Sequence, residues 1–125
     1  MPRRSWVIGV YKPHAGKEDE FKSLIRRHYA TLREQRLVTN RAPIFMRSAD
    51  DGTYLELFEW ESAAAAGAAH ENKRVMEIWE GLADCADMLT LKSLKAAEKR
   101  FAHFEDASDL APPHTDPDTL GRESR

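Results

Sequence analysis

Two stretches of this chain are apolar on both faces when read as strands, and that limits the architectures open to it. In "SWVIGVY", residues 5 to 11, Trp6, Ile8 and Val10 point one way while Val7, Gly9 and Tyr11 point the other. In "TYLELFEW", Tyr54, Glu56, Phe58 and Trp60 alternate with Leu55, Leu57 and Glu59. A sheet carrying such strands must be covered on both sides. The chain has 125 residues, the size of one domain. Of its apolar residues, 17 are alanines, so large side chains are few and a thin two-layer fold is expected.

Between these strands, "KEDEFKSLIRRHYATLREQRL" has acids in its first turn and Phe21, Leu24, Ile25 and Leu32 at helical spacing, with His28 on the same stripe. This helix is expected to end near Leu37, where "VTNRAP" carries turn residues. "IFMRS" reads as a second strand, joined to the third by the hairpin signal "ADDG". Ser62 suits the N-cap of an alanine-rich helix. A kink or break is expected at residues 70 to 73, where Asn72 can cap a fresh turn, and Val75, Met76, Trp79 and Leu82 form the next stripe. "MLTLKSL", residues 88 to 94, reads as a fourth strand.

The order β-α-β-β-α-β predicts a ferredoxin-like α+β domain over residues 1–95, with an antiparallel sheet and two helices on one face. The other sheet face would remain apolar and exposed, which predicts a homodimer formed through that face. Residues 96–105 are expected to form a short C-terminal helix, and residues 106–125, proline- and acid-rich with almost no large apolar side chains, a disordered tail.

Charge and composition exclude several functions. With 19 basic and 21 acidic residues the net charge is −2, and no basic stripe is present, so a nucleic-acid partner is not expected. The apolar run after "MPRR" is too short for a signal-peptide core or a membrane span, which predicts a cytoplasmic protein with no membrane association. The single cysteine, Cys85, is expected to be a buried thiol. His14, His28, His70, His103 and His114 show no spacing suited to a preformed metal site, so no metal is expected. Glycine-rich phosphate loops and nucleophile-elbow motifs are absent. Arg26, Arg27, Arg33 and Arg36 read as a solvated helix side.

A small set of residues could carry chemistry. His70 follows the alanine row at the expected kink; it is either a general base at a pocket rim or a histidine that pins the kink through a backbone hydrogen bond. His28 is either a satisfied core residue or a polar group aimed into a cavity. Gly9 inside a strand marks either a close approach to the backbone, flanked by Tyr11, or a simple bend. Trp60 and Trp79 are either packing residues or walls for a planar ligand.

The strand order, "KPHAGKEDEF" ahead of the first helix, "LFEWES" at the end of the third strand, and His70 ten residues after Trp60 resemble the antibiotic biosynthesis monooxygenase family of dimeric α+β barrels, over roughly residues 5 to 95. The resemblance implies a dimeric barrel with a pocket between helices and sheet in each protomer. Its members oxidise polycyclic phenols without a cofactor, degrade haem or isomerise small lactones. The haem-degrading members need an asparagine on the first strand, absent from "SWVIGVY", so haem is not expected, and the resemblance to the cofactor-independent members implies no cofactor. The resemblance thus implies a small-molecule-binding protein, a cofactor-free oxygenase on a planar phenol. His70 or His28 would remove the phenolic proton, Tyr11 would hold the oxyanion, Gly9 would leave room for the ligand, and Trp60 or Trp79 would wall it. The alternatives are a non-catalytic binding or structural dimer of the same fold, and a sugar mutarotase-like isomerase suggested by "RRHYATLRE" but lacking the tryptophan-proline element that should follow.

Overall fold

A computed structural model describes residues 4–111. Over these residues the chain is a mixed α+β fold with a five-stranded antiparallel sheet and three α-helices. The strands are β1 (Ser5–Pro13), β2 (Ile44–Arg47), β3 (Tyr54–Trp60), β4 (Ala86–Leu89) and β5 (Glu105–Asp106), and they lie in the order β4-β1-β3-β2-β5. The helices are α1 (Glu18–Glu34), α2 (Ala63–Ala69) and α3 (Lys73–Cys85).

Helix α1 opens with Glu18, Asp19 and Glu20, whose charges complement the positive end of the helix dipole. It buries Phe21, Ile25, His28, Tyr29 and Leu32, one stripe facing the sheet. Its end is a Schellman turn: Leu37 N–H donates to Leu32 O and Arg36 N–H to Arg33 O, both at 3.0 Å, with Arg36 left-handed at φ 58°. The β2–β3 hairpin turns through Gly52 at φ 76°, and Thr53 N–H donates to Asp51 Oδ1. Ser62 Oγ accepts from Ala65 N–H at the start of α2. Of the kink or break expected at residues 70 to 73, the structure has the break: Asn72 Oδ1 caps Val75 N–H, starting α3 as a separate helix, and Asn72 Nδ2 donates to Gln35 Oε1. Two expected helices are therefore three.

The helix-facing core holds Phe21, Tyr29, Phe45, Phe58 and Trp60 with Ile25, Leu32, Val75, Ile78 and Leu82. Cys85 is buried at the end of α3, and burial pushes its thiol pKa up.

The region after the sheet departs from expectation. The fourth strand runs over 86–89 rather than 88–94, with a 3-10 turn at Leu91–Ser93 in its place, and the helix expected over 96–105 is instead a 3-10 turn at Lys95–Glu98 followed by a bend and turn over 99–101 and irregular chain up to β5. The physical reason is the second sheet face: Leu94 and Ala96 are buried against Val10 and Leu55, with Ala102 and Phe104 beside them. The chain thus covers part of that face itself. Residues 106–111, assigned by sequence to a disordered tail, are docked. Ala107 N–H donates to Phe45 O, β5 pairs with β2, and Leu110 is 1% exposed. Residues 112–125 of that expected tail lie outside the described residues. Trp6, Ile8 and Ile44 remain largely exposed on the second face. Among the described residues, no helix is long and apolar enough to cross a membrane.

Candidate functional site

Four side chains from four elements meet between sheet and helices. His28 of α1 lies with Nδ1 2.8 Å from Glu56 Oε2 and 3.1 Å from Glu56 Oε1 on β3. Tyr11 of β1 donates its hydroxyl to Glu56 Oε1 at 2.8 Å. On the opposite side, Trp79 of α3 donates its indole N–H to His28 Nε2 at 2.8 Å. Glu56 and His28 are almost wholly buried, with side-chain exposures of 1% and 3%.

The donor inventory fixes the protons. An indole N–H can only donate, so His28 Nε2 must accept, and the single proton of a neutral imidazole then sits on Nδ1. From there it is given to Glu56, which accepts from Tyr11 as well and is therefore the carboxylate. A second proton on His28 would set an N–H against the Trp79 N–H. Among the described residues every buried side-chain nitrogen and oxygen has a partner. Burial first, and then the charge and hydrogen bond of Glu56, raise the Tyr11 pKa well above that of a free phenol. Tyr11 is a fixed donor at neutral pH.

Register explains how Tyr11 reaches this position. Gly9 stands opposite Glu56 and Tyr11 opposite Tyr54, so all four share the helix-facing side of the sheet. A Cβ at Gly9 would stand 2.8 Å from Tyr11 Cε2 and from its hydroxyl oxygen. What approaches Gly9 closely is the phenol of Tyr11, which lies back across it towards Glu56.

The six residues marked by sequence fall into different places. Tyr11, His28 and Trp79 belong to one hydrogen-bonded chain, and Gly9 makes room for it. His70 is exposed at the end of α2, with its ring edge-on to Trp79 at 4.9 Å between centroids. Among the described hydrogen bonds its side chain makes none, so it does not pin the break between helices; Asn72 does. Trp60 packs edge-on against Phe58 at 5.1 Å, and Phe58 separates it from His28. Glu56, the centre of the network, was not singled out from sequence. Its signal was a carboxylate at an inward position between Tyr54 and Phe58.

Among the described residues, clefts lie elsewhere on the surface. One of about 190 Å³ is lined by Lys12, His14, Glu18, Arg47 and Asp51 among others. Another, about 630 Å³, lies between the end of α1 and the ends of β1 and β3. Neither reaches His28 or Glu56. Among the described residues, no three His, Cys, Asp or Glu side chains are grouped to hold a metal ion. No family model, no curated protein and no solved structure matches the chain.

Proposed function

We propose that the chain is a homodimer of ferredoxin-like protomers that binds a planar phenolic molecule at the His28–Glu56 pair and activates it, without a cofactor, for reaction with dioxygen. The observation that carries the reading is the 2.8 Å hydrogen bond from Trp79 to His28 Nε2. It covers the one lone pair of the pair that could act as a base. When the half-buried indole turns away, Nε2 is left free, while Nδ1 remains held by Glu56, the arrangement of an oriented general base.

A phenol is suited to replace the indole, being a flat ring with one polar hydrogen. Its O–H would donate to Nε2 and then lose the proton to it. Glu56 would balance the resulting imidazolium, and Tyr11 would hold Glu56 in place. The phenolate of a polycyclic phenol would give one electron to dioxygen, leaving a phenoxyl radical and superoxide, which would combine at a ring carbon to form a peroxide. His70, beyond Trp79, would stand at the mouth. Tyr11 then acts on Glu56 instead of on the substrate oxyanion, because its proton is already given to the carboxylate.

The ferredoxin-like reading is supported by the order β4-β1-β3-β2 of the first four strands. Dimerisation into a barrel is supported by exposed Trp6, Ile8 and Ile44, which a second sheet would cover.

A second reading, a non-catalytic dimer in which the four side chains only specify the core, is favoured by the complete internal pairing of the network. Titration with 2-naphthol separates the two. Binding at Nε2 displaces the Trp79 indole proton resonance, and proton transfer to His28 is read from the naphtholate absorption band. Trp79→Phe uncovers Nε2 and should strengthen uptake. If this variant, still folded, takes up no naphthol, the oxygenase reading falls and the core reading stands.

A further inference from the structure

The larger cleft has a basic lining without a use so far. Its walls are Arg33 and Arg36 at the end of α1, Val38, Thr39 and Asn40 after it, and Arg4 and Glu61 at the sheet margin. The floor is fixed by backbone bonds: Glu61 N–H donates to Leu37 O and Thr39 N–H to Glu59 O, both at 2.9 Å. Arg4 is paired with Glu61 at 3.0 Å. Among the described residues, Arg33 and Arg36 have no carboxylate within ion-pair distance. Three guanidiniums against one carboxylate leave two positive charges in the cleft, on a chain whose net charge is −2.

An arginine in the last turn of a helix complements the dipole, which accounts for Arg33. That argument does not reach Arg36. This residue holds the left-handed position of the Schellman turn, φ 58°, which glycine adopts without a Cβ penalty and which costs an L-residue such as arginine backbone energy. A side chain kept in a conformation that costs backbone energy points to a use for that side chain. Its use is visible in the lining: it faces the same cleft as Arg33.

We propose that this cleft binds a small molecule through a phosphate group, clamped by Arg33 and Arg36. Planar guanidinium forks match phosphate oxygens bidentately, and among the described residues Arg33 and Arg36 have no carboxylate partner to displace, although Arg33 also faces the negative end of the α1 dipole. The amide of exposed Asn40 supplies a further donor at the rim. The cleft is open to solvent, with about 630 Å³ of space, so a phosphate group could enter without rearrangement of its walls. This proposal does not depend on the reading of His28 and Glu56.

The test is titration of the full chain with inorganic phosphate at constant ionic strength, with chloride and acetate as controls, followed by heat of binding and by the arginine side-chain N–H resonances. Saturable binding of phosphate, weaker binding of acetate, and loss of affinity by about tenfold or more in Arg33→Gln are expected, as charge-assisted hydrogen bonds of this kind imply. Arg36→Gly is the decisive variant, because it should raise the thermal midpoint and weaken phosphate binding together. A raised midpoint with unchanged phosphate affinity would reduce Arg36 to a helix cap and overturn the proposal. Phosphate binding no better than chloride, or acetate binding as tightly as phosphate, would also overturn it.

Discussion

Tyr11 lies back over Gly9, its ring and hydroxyl 2.8 Å from the point where a Cβ of residue 9 would stand. The glycine therefore sets the position of the phenol that holds Glu56. Gly9→Ala must drive the Tyr11 ring outwards, and the ring is buried against Phe21 at 5.5 Å between centroids. The expected cost is that of overpacking, about 1–3 kcal/mol, read as a lowered midpoint in chemical denaturation with an unchanged slope. The Tyr11 hydroxyl proton, sheltered in the wild type, should exchange faster in the variant. A variant as stable as the parent would show that the ring has room to move.

Much of the fold was legible from period and punctuation. The paired faces of residues 5–11 and 54–60, the stripe of α1, the Ser62 and Asn72 caps and the Asp-Gly hairpin all depend on local chemistry, and local chemistry is what sequence spacing records. The second face was not legible. Leu94 and Ala96 are too sparse to show a period, and their burial is decided by a sheet formed from distant segments. Leu110 looked isolated for the same reason. At the site, Tyr11, His28 and Trp79 were each visible as residues out of keeping with a plain stripe. Their connection required Glu56, which alternation alone places inward but does not pair with a partner 28 residues earlier.

Leu110 gives a direct measure of how firmly the chain end is docked. It is 1% exposed, and Arg26 Nε donates to the carbonyl of its neighbour Asp109 at 3.2 Å. Leu110→Ala removes a fully buried side chain from the helix-facing core and should cost about 2–5 kcal/mol. Urea unfolding provides the number. A loss below about 1 kcal/mol would mean that residues 105–111 contribute little to the fold, contrary to their burial.

Tyr54 and Glu18 make stability depend on pH at both ends of the scale. The Tyr54 hydroxyl donates to Glu18 Oε2 at 2.6 Å. Burial, followed by this bond and the Glu18 charge, pushes Tyr54 up to about 12, while the same bond is the main cause that holds Glu18 below the usual carboxylate range. The folded chain keeps the Tyr54 proton to higher pH than the unfolded chain does. Its contribution is therefore complete below about pH 10 and is lost as pH rises through about 12. Glu18 has the opposite sign: its contribution is present above the ordinary carboxylate pKa and is lost as pH falls through the lowered value. Tyr54→Phe should flatten the stability profile at both limits, less on the acid side because the Glu18 side chain is 47% exposed and screened. Tyr11, also raised by burial, will keep some alkaline slope in the variant. Identical profiles for parent and variant would show that the bond carries no such linkage.

Ile8 tests the assembly. It stands at the centre of the apolar remainder of the second face, in register with Leu57, which pairs in turn with Ile44; Trp6 lies two residues along the same side. The segment after β4 covers Val10 and Leu55 but leaves Ile8 41% and Ile44 47% exposed. A sheet-to-sheet dimer would bury these side chains together, and a lysine there would place an unpaired charge within the interface at a cost well above that of a surface substitution. Light scattering of the parent should give about twice the 14.3 kDa chain mass, and Ile8→Lys should give the single mass. Because Ile8 is exposed in the protomer, the variant should retain its far-ultraviolet dichroism and the Tyr11–Glu56 hydrogen bond, so that dissociation is read separately from unfolding. A parent that is monomeric at micromolar concentration would refute the dimer. A dimeric parent unaffected by Ile8→Lys would move the interface away from this face.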